Sequence, residues 1–198
     1  MATSQHLERP RRRDEPVYYT VEMLDALNHG KDGDGTKYEA VYGELLVTPP
    51  PRPWHEVIVD RLYDALKAYA RSEPAAGYVS RGLPKFTFGR RDVYTMPDVW
   101  AVSLDEMRTL DWLKITVPLL CAEVLSKGTR RADRFTKRTL YLERGVPLYW
   151  VIDGDRHTVD VWRPGDTEPH LERERLTWQP AGAHSAFTYA LAELFAPL

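Results

Sequence analysis

Two acidic residues lie inside apolar stretches of the sequence, where an ionised side chain needs a partner. Glu123 stands in the middle of Leu119–Ser126, a run whose length and apolarity are typical of a strand covered on both faces. Asp98 follows a proline inside the apolar run Tyr94–Val102. Burying an ionised carboxylate costs several kcal/mol unless a cation or hydrogen-bond donors compensate. Each acid is therefore either a paired structural acid or part of a functional site.

A lysine and a third acid follow on a predicted helix. Thr129 can cap a helix from about Arg130 to Arg144, on which Asp133 and Lys137 are four residues apart and share one face. A simple surface ion pair would produce the same spacing. Two carboxylates on neighbouring strands can hold Mg²⁺, which accepts few protein ligands beside water and phosphate oxygens. With an ammonium nearby, such a site can activate water and stabilise a pentavalent transition state, so the pattern predicts phosphodiesterase chemistry.

Hydrophobic periodicity predicts the elements that must position these residues. A short helix begins after Thr20, and an amphipathic helix of about four turns extends from Trp54 to Tyr69. Turn residues separate several predicted strands and hairpins, which are residues 38–47 (a hairpin), 78–80, 85–88, 94–102, 119–126 and 148–162 (a second hairpin). Pro97 lacks a backbone donor and suits a strand start, an edge or a bulge that directs Asp98 toward a site. A helix at 190–195 is expected to return over the sheet.

Composition limits the class of protein without identifying a partner. The 198 residues suit one domain, which we expect at 17–198 after a disordered, arginine-rich leader at 1–16. The net charge of -2 neither supports nor excludes DNA as a partner. A single cysteine, Cys121, cannot form an internal disulfide. No apolar run approaches the roughly 18 residues that span a bilayer, so we expect a cytoplasmic protein with no membrane partner.

The residues around both acids resemble the PD-(D/E)XK nuclease superfamily and, within it, the Uma-type putative restriction endonuclease family. The resemblance covers roughly 17–163 and is carried by the following residues: Tyr38, Glu39, Gly43, Glu44, His55, Pro97, Asp98, Glu123 to Ser126, Thr129, Asp133, Lys137, Tyr141, Gly145, Val146 and Tyr149 to Asp153. It implies an α/β (α+β) fold with a restriction-endonuclease-like core, a mixed β-sheet flanked by helices. It also implies hydrolysis of DNA that depends on Mg²⁺ or Mn²⁺.

The resemblance assigns roles to individual positions. Asp98 and Glu123 correspond to the metal carboxylates, and Glu39 is similar to the acid that the family supplies from its first hairpin, with Glu44 as a weaker candidate. The superfamily places a lysine two residues after the Glu, where this chain has Leu125. Lys137 matches the family's lysine on the following helix and is our choice for the catalytic lysine.

Other residues receive accessory roles or remain alternatives. Lys127 is a less favourable catalytic lysine, because its Cα is roughly 13 Å further along the strand than Glu123 at about 3.3 Å per residue. Ser126 and Asp133 are expected to orient the lysine or metal-bound waters. His55 either contacts phosphate or caps the first long helix.

Two functions from different classes fit the sequence. The first is a metal-dependent endonuclease that acts on DNA of unknown sequence, expected by analogy to be a homodimer. The second is a catalytically inactive nucleic-acid-binding or interaction module, which Leu125 and the near-neutral charge favour. A phosphoesterase with another substrate is a third possibility.

Overall fold

A six-stranded mixed sheet forms the centre of the molecule. The computed structural model describes residues 17–29, 35–82, 85–126 and 128–198, so the predicted leader at 1–16 and Lys127 lie outside the described residues. The strands are β1 Lys37–Val41, β2 Glu44–Thr48, β3 Tyr78–Arg81, β4 Val99–Val102, β5 Leu120–Val124, β6 Tyr149–Asp153, β7 Thr158–Trp162, β8 His170–Glu172, β9 Arg175–Trp178 and β10 Phe187–Ala190. The helices are α1 Val21–His29, α2 Pro53–Ser72, α3 Leu104–Met107, α4 Arg138–Glu143 and α5 Leu191–Leu194.

The central sheet has the strand order β3-β4-β5-β6-β7-β8. β5 and β6 run parallel, and each other neighbouring pair in this sheet is antiparallel. The long connection between β5 and β6 contains α4, as a parallel pair requires. β1 pairs with β2 and β9 pairs with β10 in two smaller antiparallel sheets.

One face of the central sheet is covered by α2. Pro53 opens this helix, where a missing N–H costs nothing, and its apolar residues recur at helical spacing. Ile58, Leu62 and Leu66 are fully buried in a cluster with the β5 residues Ala122 and Val124. The strand residues that point toward α2 are therefore the even-numbered ones of β5.

The opposite face of the sheet carries α4 and the β1–β2 hairpin. Leu140 of α4 and Val41 of β1 pack with Cys121 of β5 and Tyr149 of β6 in a second buried cluster. Two backbone hydrogen bonds attach the hairpin to the rest of the fold. The Ala40 N–H donates to the Tyr94 carbonyl at 2.9 Å, and the Tyr94 N–H donates to the Ala40 carbonyl at 2.8 Å. Residue 123 faces this side, because side chains alternate along a strand.

Most predicted elements are present, but the predicted strand at 85–88 is absent and the one at 94–102 is shorter than predicted. Residues 85–88 and 94–98 form isolated bridges, Ala40 with Tyr94 and Phe86 with Thr95, and the regular strand β4 begins only at Val99. Pro97 explains the late start, because it cannot donate to a ladder. Strands β8, β9 and β10 were not predicted individually. They are short and mostly exposed on one side, so their periodicity is weak.

The helices carry no candidate membrane span. Within the described parts of the chain, each helix is too short or too polar to cross a bilayer.

Candidate active site

The two predicted metal carboxylates lie opposite each other on neighbouring strands. β4 and β5 pair with Val99 opposite Ala122, and one further step in this register places Asp98 opposite Glu123. Residues that face each other across an antiparallel pair point to the same side of the sheet. The Val124 N–H donates to Asp98 Oδ2 at 2.9 Å, which fixes this carboxylate beside β5. Both acids are buried and both line one pocket.

The hairpin brings a third carboxylate to the same pocket. Glu39 lies on β1 and is 1% exposed. The Met96 N–H donates to its Oε1 at 2.7 Å, so the backbone just before Asp98 holds the side chain. Its Oε2 lies 2.8 Å from Lys137 Nζ, within ion-pair distance but outside hydrogen-bond geometry. Glu44, the weaker candidate on the same hairpin, is exposed and does not line the pocket.

Lys137 lies where three carboxylates converge. Its Nζ is 3.0 Å from Glu123 Oε1, 2.8 Å from Glu39 Oε2 and 3.3 Å from Asp133 Oδ1. The Tyr141 hydroxyl also donates to Glu123 Oε1 at 3.3 Å. Because the lysine side chain is only 3% exposed, its ammonium is a buried counter-ion of the acids.

Asp98 has two cationic neighbours of its own. Lys37 Nζ donates to Oδ1 at 2.8 Å, and His55 Nε2 lies 3.1 Å from Oδ2. Neither the sequence pattern nor the family resemblance had identified Lys37. The spacing of Lys37 from Glu39 could have identified it. Side chains alternate along a strand, so residues two apart lie on the same face of β1. His55 lines the pocket, and its ring faces Asp98.

The helix that supplies Asp133 and Lys137 has an irregular turn at this point. The helical residues are 130–143, as predicted, but Ala132–Lys137 forms a π-helical segment before α4. π-helical turns occur frequently at functional sites. The Asp133 N–H donates to the Thr129 carbonyl at 2.9 Å, and the Tyr149 hydroxyl donates to the Asp133 carbonyl, also at 2.9 Å. These bonds to the wide turn hold Asp133 under the pocket.

The remaining predicted residues have the following places. Ser126 lines the pocket, and its Oγ lies 3.1 Å from Thr129 Oγ1. Leu125 is 8% exposed and packs in the apolar cluster with Val41 and Leu140, so the superfamily's usual lysine position belongs to the core in this chain. The hairpin ends add Gly35, Thr48, Pro49 and Pro51 to the pocket wall.

Burial and neighbouring charges shift the proton affinities of the acids in opposite directions. Burial raises the pKa of Glu123 well above its ordinary value. The positive charge of Lys137 lowers this pKa, and the nearby carboxylates of Asp133, Asp98 and Glu39 raise it again. Burial would also raise the pKa of Asp98, but the charge of Lys37 and the bond from His55 hold it well below its ordinary range. Asp98 is therefore an ionised carboxylate, whereas Glu123 takes up a proton readily.

The neighbouring carboxylates favour the protonated forms of Lys37, Lys137 and His55. Burial would lower the pKa of Lys137, but Glu123, Glu39 and Asp133 raise it well above its ordinary value. The pKa of Lys37 is raised in the same way, mainly by Asp98 against the effect of burial. Burial likewise opposes protonation of His55, and the hydrogen bond with Asp98 raises its pKa. The pocket thus contains fixed cations beside buried acids.

Comparisons with known proteins identify the family of this chain and solved structures with a similar fold. The family model named Uma2, described as Putative restriction endonuclease, matches residues 21–191. The chain is similar to the crystal structure of a putative nuclease belonging to DUF820 from Anabaena variabilis ATCC 29413. The TM-score is 0.70 at 21% identity, and the match covers 91% of this chain and 98% of that chain. The curated proteins contain no match to the chain.

Proposed function

Because this chain belongs to the Uma2 family of putative restriction endonucleases, we propose that it is an endonuclease that hydrolyses DNA phosphodiester bonds with Mg²⁺ or Mn²⁺. The observation that carries the proposal is the convergence of Asp98, Glu123, Glu39 and Lys137 on one pocket. These residues come from β1, the start of β4, β5 and the helix before α4. An ordinary structural ion pair would not need acids from so many elements.

The chemistry and charge of the pocket fit a hard divalent cation. Carboxylate oxygens are the protein ligands that Mg²⁺ prefers. Four carboxylates, those of Glu39, Asp98, Glu123 and Asp133, face two lysine ammoniums, which leaves an excess of two negative charges when every carboxyl is ionised and His55 is neutral. The free volume of about 20 Å³ is enough for one water-sized group. We therefore assign Asp98 and Glu123 as the protein ligands of the cation, with Glu39 as a third.

The lysines account for the lack of a preformed ligand cluster. In the described ranges, no three His, Cys, Asp or Glu side chains are arranged to hold a metal ion. Lys137 lies between Glu39, Glu123 and Asp133, so its ammonium takes the place between these carboxylates that a cation would need. Binding of a cation would require the pocket to exchange its internal cation contacts for contacts with the metal.

Each residue of the pocket has a distinct part in the proposed reaction. A bound divalent cation would supply Lewis-acid stabilisation of the phosphoryl charge and lower the pKa of an attacking water. The chain itself orients the acids. The Val124 N–H and His55 fix Asp98, the Met96 N–H fixes Glu39, and the positive charge of Lys137 opposes protonation of Glu123. Asp133 and Ser126 hold the surrounding turn in place.

A plasmid-nicking assay tests the proposed function. Purified protein is incubated with supercoiled plasmid and Mg²⁺ or Mn²⁺, beside Asp98→Asn and Glu123→Gln. We expect wild-type nicking that EDTA abolishes and that both variants lose by about 100-fold or more, since each removes a charged metal ligand without a large change in shape. Glu44→Gln is the matched control, because Glu44 is exposed on the same hairpin.

The outcomes separate nuclease from other activities. Nicking that persists in both variants would exclude this pocket as the active site. Hydrolysis of small phosphodiesters without any action on plasmid would assign the pocket to a different substrate class.

A second candidate function is an inactive nucleic-acid-binding module. It is favoured by Leu125, which places a buried apolar side chain where the superfamily has its lysine, and by the deep burial of Lys137. This function predicts that the wild-type protein retards duplex DNA in a gel but leaves it intact with every divalent cation tried. Loss of DNA binding in Asp98→Asn would then reflect fold or charge and not catalysis.

We also propose that cleavage of both strands uses a homodimer. One set of site residues can act on one scissile phosphate at a time, so a simultaneous break of both strands needs a second pocket. Light scattering at micromolar concentration with and without duplex DNA measures the mass, and a monomer in both conditions would limit the activity to nicking.

A further inference from the structure

The pocket contains two lysines in different positions, and their surroundings suit them to different tasks. The side chain of Lys37 is 30% exposed, whereas that of Lys137 is 3% exposed. Lys37 is the first residue of β1, and Lys137 ends the π-helical segment under the pocket. The question is which ammonium is able to reach a phosphate that enters from solvent.

The Lys137 ammonium is enclosed by carboxylates. It donates a hydrogen bond to Glu123, and it lies within ion-pair distance of two further acids. Three carboxylates, from Glu39, Glu123 and Asp133, lie within 3.3 Å of the Lys137 nitrogen. A phosphate contact would require one buried carboxylate to lose its cation, which is strongly unfavourable because the carboxylate would stay buried without compensation. Lys137 therefore suits the role of positioning residue for the acids.

Lys37 has both an exposed path and free donors. Its ion-pair partner among the described residues is Asp98, at 2.8 Å. The second oxygen of Asp98 is already held by His55 and the Val124 N–H. Asp98 therefore stays in place if Lys37 moves toward a substrate. Among the contacts of the described residues, Lys37 donates one hydrogen bond, to Asp98, so two donors of its ammonium are available to an anion in the pocket, which both lysines line.

The electrostatic setting explains why an anion and a divalent cation would enter together. The pocket acids outnumber the lysines, so a phosphate alone would meet a net negative charge. A divalent cation at the carboxylates removes that excess and weakens the hold of Asp98 on Lys37. A lysine ammonium is a compact point charge that suits a phosphate oxygen.

We propose that Lys37 is the catalytic lysine that contacts the scissile phosphate and that Lys137 positions the carboxylates from below. This assignment rests on the proposed function. The assignment departs from the family resemblance, which selected Lys137 as the catalytic lysine. It gives the substrate-facing role to a residue on the first hairpin, two positions before Glu39.

The test combines nicking with a binding measurement. The variants are Lys37→Ala, Lys37→Arg and Lys137→Ala, with Lys114→Ala as the control because Lys114 is an exposed lysine outside the pocket. Affinity for a short duplex is measured by fluorescence anisotropy across salt concentrations, with Ca²⁺ in place of Mg²⁺ and the duplex checked on a gel. Thermal melting of each variant reports stability.

We expect Lys37→Ala to reduce the nicking rate about 100-fold or more, as loss of one charged contact to a transition state does. The slope of log affinity against log salt should decrease in magnitude by about 0.9, the value for one lost phosphate contact. Lys37→Arg keeps the charge and should restore the salt slope. Lys137→Ala should reduce the melting temperature more than Lys37→Ala does, and Lys114→Ala should match wild type in nicking.

Two failures are distinguishable. If wild type nicks plasmid and Lys37→Ala nicks within about twofold of it with an unchanged salt slope, the lysine assignment is wrong while the proposed function stands. If wild type neither nicks nor binds the duplex, the proposed function is wrong, and the assignment to Lys37 is overturned with it.

Discussion

Replacing Lys137 by Met removes the positive charge from the centre of three buried carboxyl groups while keeping most of the side-chain volume. Breaking a buried ion pair by removing one partner costs about 3–5 kcal/mol, because the other charge stays buried without compensation. For a chain of 198 residues, each kcal/mol shifts the melting temperature by about 2–4 °C. We therefore expect the variant to melt roughly 6–20 °C below wild type at neutral pH.

The stability loss should depend on pH with a defined sign. Without Lys137, the pKa of Glu123 rises further above its ordinary value of 4.5, because burial is then opposed by one charge fewer. A group with a raised folded-state pKa contributes stability that is present below the unfolded pKa and is lost as pH rises through the folded pKa. The difference between variant and wild type is thus smallest near about pH 5 and largest near about pH 8.

Urea unfolding followed by tryptophan fluorescence measures this difference, since Trp100 and Trp150 are fully buried. Lys114→Met is the matched control at an exposed lysine. Adding Glu123→Gln to Lys137→Met should recover part of the loss, with a coupling energy of about 0.5–3 kcal/mol. A Lys137→Met protein as stable as the control from about pH 5 to about pH 8 would refute the account of Lys137 as the buried counter-ion.

Three further predictions concern other parts of the chain. Gly43→Ala should destabilise the protein by about 1–3 kcal/mol in urea unfolding. The φ angle of Gly43 is +80°, and an added Cβ would lie 2.4 Å from the ring of Tyr18. A variant as stable as wild type would show that the turn relaxes. Bonds from Arg90 lower the pKa of Asp92 from 3.8 to about 2, so its contribution to stability is present above 3.8 and is lost as pH falls toward 2. Acid unfolding of Asp92→Asn should therefore lack that part of the pH dependence, and identical curves would contradict this. The affinity for Mn²⁺ measured by calorimetry should increase with pH, because the raised pKa of Glu123 makes protons compete with the cation. In Glu123→Gln this pH dependence should weaken. An unchanged pH dependence would assign the competing proton to another group.

The sequence was sufficient to predict the pairing of Asp98 with Glu123. Each acid interrupts an apolar run, and a strand that is buried on both faces leaves an acid few alternatives to a site. The lysine on the following helix was also predictable, because a spacing of four residues places Lys137 beside Asp133. These inferences depend on the spacing of apolar and charged residues along the chain, which can be read from a single sequence.

The contacts across long separations in the chain were not predictable in the same way. Lys37 and its partner Asp98 are 61 residues apart, and their contact depends on how the hairpin docks on the sheet. Residues 94–98 read as part of a regular strand, but docking of Ala40 against Tyr94 and the missing donor of Pro97 limit them to bridges. The π-helical turn at Ala132–Lys137 has no signal in hydrophobic spacing, because it shifts the helix by less than the pattern resolves.

The alternation along β5 determines where this chain tolerates a change in length. An added residue between Leu120 and Glu123 would turn the carboxylate toward the apolar layer under Ile58 and Leu62 and place an apolar side chain in the pocket. The strand would remain apolar, so the chain could still fold while its chemistry disappeared. An insertion at 163–169 would only lengthen an exposed connection beyond β7. Length variation among natural or engineered forms of this protein should therefore collect in that connection and be excluded from β5.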